Sequence, residues 1–132
     1  MSRVLFSDAH VTVTLDEARG FARYTRSRAP YATLDELRTS HAAMVAALPV
    51  PVPAGIRLLV DLREAPPRND EAFEAEMRPL LAQFMQGFAA RAVLVKSAVG
   101  RLQVQRLARP YEARPQVFDD EGKALQHLGL TP

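Results

Sequence analysis

From Arg57 onward the chain alternates unbroken apolar runs with polar-capped amphipathic stretches, the pattern of parallel strands joined by helices. Leu58-Leu59-Val60 ends at Asp61, Ala92-Val93-Leu94-Val95 ends at Lys96-Ser97, and Gln116-Val117-Phe118 ends at Asp119-Asp120. Each run leads into a helical period. A strand apolar at consecutive positions is buried on both faces, so this half predicts a parallel sheet covered by helices. In such sheets the ligand or partner site usually lies in the loops after the strands.

The N-terminal half has a different period. From His10 to Leu15, Val11, Val13 and Leu15 alternate with Thr12 and Thr14, which predicts a half-buried strand. Asp16 to Gly20 makes a turn, and Phe21 to Arg28 alternates again, predicting a hairpin whose second strand presents Arg23, Arg26 or Arg28 to solvent. Charge along it suits an edge strand guarded against aggregation. Val4 to Phe6 predicts a short strand ahead of the hairpin. Thr33 and Glu36 form a capping box, and Leu34, Leu37, His41, Met44 and Leu48 share one helical face until Pro49.

Pro49 to Gly55 reads as a stiff crossover. Asn69 or Asp70 caps a helix to about Gly87, with Phe73, Met77, Leu80, Leu81, Phe84 and Phe88 as its apolar stripe. Pro79 lacks the amide that would bond the Ala75 carbonyl, which predicts a kink or a split. Ser97 caps the next helix, with Val99, Leu102 and Leu107 facing inward and Pro110 as its stop. Asp119 or Asp120 caps the last, whose Ala124, Leu125 and Leu128 lean on the sheet before Gly129. The expected fold is one α/β domain over residues 1–132, with N-terminal antiparallel strands leading into a mixed sheet with parallel C-terminal strands, and about four helices.

Composition narrows the chemistry. The 132 residues suit a single core, and the absence of cysteine removes disulfides, thiolate nucleophiles and Cys-ligated metals. The 17 basic and 15 acidic residues are interspersed, with a net charge of +2, which does not argue for nucleic acid. No stretch approaches the roughly 18 apolar residues of a membrane span, and the start lacks a long apolar leader segment. A cytoplasmic location is therefore the expectation.

No HExxH, P-loop, GxGxxG or GxSxG motif occurs, and His10, His41 and His127 fall on three separate elements without the i, i+4 pairing or neighbouring carboxylate of a metal site. No catalytic residue, metal ligand or cofactor site is expected. His41 interrupts an apolar stripe and reads as a hydrogen-bonded boundary histidine. Asp61 and Arg63, at a strand end, suit either a small polar ligand or a loop-ordering ion pair. Ser97 and Arg101 flank helix amides able to hold an anion, although a plain N-cap also explains Ser97. Met77, Phe84, Met85 and Phe88, with Met44, form a stripe suited to core packing or to an apolar groove.

The strings Asp16-Glu-Ala-Arg-Gly-Phe-Ala-Arg-Tyr-Thr-Arg-Ser and Pro30 to Leu37 resemble the N-terminal half of STAS/SEC14-type, SpoIIAA-like proteins. The likeness continues through Leu59 to Arg63, Ala98 to Gln103 and Val117 to Glu121, so it spans nearly the whole chain. It implies a small mixed sheet with helices largely on one side, and a module that binds rather than breaks bonds. The anti-sigma-factor antagonists of that family carry a loop serine or threonine after the strand matching Leu58 to Asp61, and its phosphorylation blocks docking. Here no Ser, Thr or Tyr occurs between Ser40 and Ser97, and the corresponding position lies within Arg68-Asn69-Asp70-Glu71. Asp70 is either a fixed negative charge there or an N-cap.

The leading expectation is thus a non-catalytic STAS-like regulatory or scaffolding module. It acts through protein contacts at the loops after Asp61 and Ser97 and at the Met/Phe helix, with the binding set Asp61, Arg63, Arg68, Asn69, Asp70, Ser97 and Arg101. The partner is another protein or a second copy of the chain, and homodimerisation would cover an edge strand or apolar helix face. The alternative is a binder of a small apolar or amphipathic, lipid-like ligand between that helix and the sheet.

Overall fold

A computed structural model of the protein describes residues 2–49, 52–66, 70–108 and 116–130. Three strands come first: β1 (Arg3–Ser7), β2 (Val11–Asp16) and β3 (Phe21–Arg26). Helices and strands then alternate through α1 (Leu34–Ala47), β4 (Arg57–Asp61), α2 (Glu71–Met85), β5 (Ala90–Leu94), α3 (Ala98–Ala108), β6 (Gln116–Phe118) and α4 (Glu121–His127). The six strands lie in sequence order in one sheet. The β1–β2 and β2–β3 pairs are antiparallel, and β3–β4, β4–β5 and β5–β6 are parallel.

Because the parallel strands advance in one direction across the sheet, right-handed crossovers place α1, α2 and α3 on the same face. Val13, Leu15, Tyr24, Leu58, Val60 and Val93 point into that layer and meet Met44, Phe84 and Val104. The alternate positions of the same strands face the other way. There Leu59, Ala92 and Leu94 are capped by Ala124, Leu125 and Leu128, so α4 alone closes the second face. Over β2 and β3 that face carries half-buried Thr12, Thr14, Arg23 and Thr25.

Local signals account for the ends of the elements. Thr33 Oγ1 accepts from the Glu36 amide at 3.1 Å, Asp70 Oδ2 from Phe73 at 3.1 Å, and Asp120 Oδ1 from Lys123 at 2.9 Å. Gly20 adopts φ 61°, and a Cβ there would sit 3.2 Å from the Gly55 carbonyl oxygen, so the hairpin turn needs glycine for both reasons. Arg57 anchors that turn and the chain end together, donating to the carbonyls of Arg19 at 2.6 Å and Leu128 at 3.0 Å.

The structure corrects three expectations. Strand β3 is interior rather than an edge, since β2 and β4 flank it, and Arg26 is buried, 7% exposed, donating to the His10 carbonyl at 2.8 Å. Helix α2 is one continuous element from Glu71 to Met85 with Pro79 inside it, so Pro79 does not split it in two. On α3, Val104 and Leu107 are buried, whereas Val99 and Leu102 are 63% and 56% exposed, because the helix turns its 104/107 ridge to the sheet. Pro110, assigned as the helix stop, lies outside the described residues.

Leu107→Ala is expected to cost at least about 2 kcal/mol of folding stability, whereas Leu102→Ala shifts it by no more than about 0.5 kcal/mol. Urea unfolding of the two variants checks this, and equal losses would contradict the placement of the α3 faces.

Candidate functional site

The carboxyl ends of β4 and β5 and the start of α3 bring together two features, an ionic quartet and an open cleft. Asp61, the last residue of β4, points to the α4 side and is almost fully buried. Arg63 grips it through Nε to Oδ1 at 3.0 Å and Nη2 to Oδ2 at 2.8 Å, while the Arg63 amide donates to Oδ1 at 3.1 Å. Arg23 donates from β3 to Asp61 Oδ2 at 2.8 Å. Both guanidinium groups also reach Glu121 Oε1 at the start of α4, at 2.7 Å from Arg23 and 3.0 Å from Arg63.

Two positive and two negative side chains thus close on one another. Burial pushes the Asp61 carboxyl up, but the donors from Arg63 and Arg23 outweigh it and hold it below the ordinary carboxylate range. Glu121 is lowered by the Arg23 hydrogen bond, against the opposing effect of its own partial burial. The arrangement fixes the loop after β4 and ties α4 across the sheet. Glu121 and Arg23 were not among the residues assigned from sequence; the signal for Arg23 was its parity with Phe21 and Thr25 on the face opposite Tyr24.

Beside the quartet lies a cleft of about 670 Å3 between the loop after β4 and α3, within the usual range of small-ligand sites. Leu62, Val95 and Val104 line it with Ala65, Pro66 and Val99, and Arg28, Arg63, Glu64, Lys96 and Ser97 supply its charged and polar groups. Arg28 pairs with Glu64 at 2.9 Å. Lys96 is exposed and has no ion-pair partner among the described residues.

The other assigned residues divide. Ser97 Oγ accepts from the Gly100 amide at 3.1 Å and so serves as an N-cap, while Arg101 donates to the Val117 carbonyl at 3.0 Å, tied to β6 instead of reaching the helix start. Asp70 is the N-cap of α2, and Arg68 and Asn69 lie outside the described residues. Met77, Phe84 and Met85 line an apolar cavity of about 50 Å3 beneath α2, with Met44 and Leu81. Phe88 stands apart from it, against Phe84 with ring centroids 5.8 Å apart. An engineered cavity that admits benzene encloses roughly 150 Å3, so a lipid-like chain would require α2 to move. His41 lines this cavity with Nε2 buried and without a hydrogen-bond partner. Burial pushes its pKa below the usual value, and its hydrogen bond to Gln83 offsets part of that.

A second polar cluster holds the loop between β3 and α1. His10 stacks on Tyr31 at 4.4 Å between ring centroids, and its Nε2 lies 2.8 Å from Glu36 Oε1, so this histidine does have a carboxylate neighbour, supplied by α1. Ser40 Oγ donates to Asp8 Oδ2 at 2.7 Å, while Asp8 Oδ1 accepts from the amides of His10 and Val11. Among the described residues no group of three His, Asp or Glu side chains is placed to hold a metal ion. Nor, among them, is any helix long and apolar enough to cross a membrane. No family model, curated protein or solved structure matches the chain.

Asp61 and Glu121 have depressed folded-state pKa values, so their contribution is present above the unfolded values of 3.8 and 4.5 and is lost as pH falls through the folded ones. Asp61→Asn is expected to lower stability by about 1–3 kcal/mol at pH 7 and to flatten the acid limb, read by urea unfolding across the acid range. For His41 the unfolded state takes up its proton first, so stability declines as pH drops below 6.5. Comparing His41→Leu with the parent at pH 7.5 and 5.5 should show a shallower decline in the variant; an unchanged slope would assign the effect elsewhere.

Proposed function

We propose that the chain is a non-catalytic binding module of the STAS-like kind, acting through protein contact at the cleft between the loop after β4 and the start of α3. The observation that carries this is the convergence of those two loops on one open cleft, beside side chains already committed to each other. Arg63, the one member of the quartet that lines the cleft, is held by Asp61 and Glu121, so the loop it stands on is rigid for whatever docks. A loop fixed by a buried ion pair costs little ordering entropy on binding.

Engagement of Arg23 and Arg26 within the protein speaks against nucleic-acid binding along β3. The small-ligand alternative draws on the cavity at His41, but its present volume favours the open cleft as the principal site. Self-association is one form the protein contact can take.

A photoreactive benzoylphenylalanine at position 99, beside the cleft, tests the reading against the same group at exposed position 126 on α4. Irradiation in cells should yield a discrete cross-linked species from position 99 alone. Equal background from both positions, or no product from either, would sink it.

A further inference from the structure

The partner's chemistry is written in the cleft, and this step rests on the docking role proposed above. Arg28, Arg63 and Lys96 line it against one carboxylate, Glu64. Glu64 is engaged by Arg28, and Arg63 by the quartet, which leaves the Lys96 ammonium without an ion-pair partner among the described residues.

Apolar surface continues from the same place. Val99 lines the cleft, and Leu102 follows three residues later on α3, so the two exposed side chains form one ridge leading out of it. Two large apolar side chains grouped beside the unpaired Lys96 at the start of a surface helix point to an interaction site rather than a solvated face. The floor of Leu62, Val95 and Val104 extends that apolar surface inward.

We infer that the cleft receives a peptide segment that sets a carboxylate beside apolar side chains. The apolar side chains cover Val99 and Leu102, and a carboxylate meets Lys96. Charge complementarity of this kind sets orientation and association rate, while the apolar contact supplies most of the affinity.

The test is to pan a displayed library of random short peptides against the intact chain, then to measure the selected consensus peptide by fluorescence anisotropy. The expected consensus carries an Asp or Glu beside Leu, Ile or Phe. Lys96→Glu and Val99→Asp, both at exposed positions, should each weaken it by at least ~10-fold without changing the thermal midpoint. A peptide with its acids changed to lysine should regain binding to Lys96→Glu. A consensus without acids that still loses affinity with Val99→Asp would overturn the acidic chemistry and leave cleft docking standing. Peptides indifferent to both variants, or no enrichment at all, would overturn the docking role as well.

Discussion

The handedness of the β-α-β crossover governs this molecule. Four strands in sequence order, β3 through β6, joined by right-handed connections, must send every crossover helix to one face of the sheet. The strands are nonetheless apolar on both faces at β4 and β5, so their second face needs a cover that no crossover can provide. The seven-residue helix α4 supplies it, packing Ala124, Leu125 and Leu128 on Leu59, Ala92 and Leu94. A helix that short gains little from its own backbone hydrogen bonds and is held by what it touches.

The ionic quartet follows from that arrangement. Asp61 ends β4 on the α4 side, where the apolar cover stops, and a carboxylate so placed is tolerable only when it is paired. Arg23 from β3 and Arg63 from the loop pair with it, and Glu121 at the start of α4 balances the second positive charge. The same bonds therefore secure the helix that closes the second face and stiffen the loop that borders the cleft. Stability and the shape of the candidate site share one set of side chains.

Much of the architecture was legible beforehand because it rests on short-range patterns. The pleat parity of Val11, Val13 and Leu15, the double burial of Leu58 to Val60, and the caps at Thr33, Asp70, Ser97 and Asp120 all concern residues close in sequence. The site was legible only as far as its loops. Asp61, Arg63 and Ser97 stand at strand ends, where sequence alone directs attention, but Arg23 and Arg26 were read as solvent-facing, although Arg23 pairs with residues 38 and 98 positions away and Arg26 bonds the His10 carbonyl across the hairpin. An alternating strand declares two faces without saying what lies on either.

Sequence by itself determined the element types, their order and the parallel character of the C-terminal half, because periodicity, capping and β-branched runs act within a few residues. Tertiary structure alone decided that β3 is interior, that Arg101 is tied to β6, that α3 turns Val99 and Leu102 outward, and that Arg23, Asp61, Arg63 and Glu121 form one network. Each of these depends on the rotation of a helix or the neighbour of a strand. Those are set by contacts across the fold, as in the Arg101–Val117 pair, 16 positions apart, and the Arg23–Glu121 pair, 98 positions apart, and leave no local period in the chain.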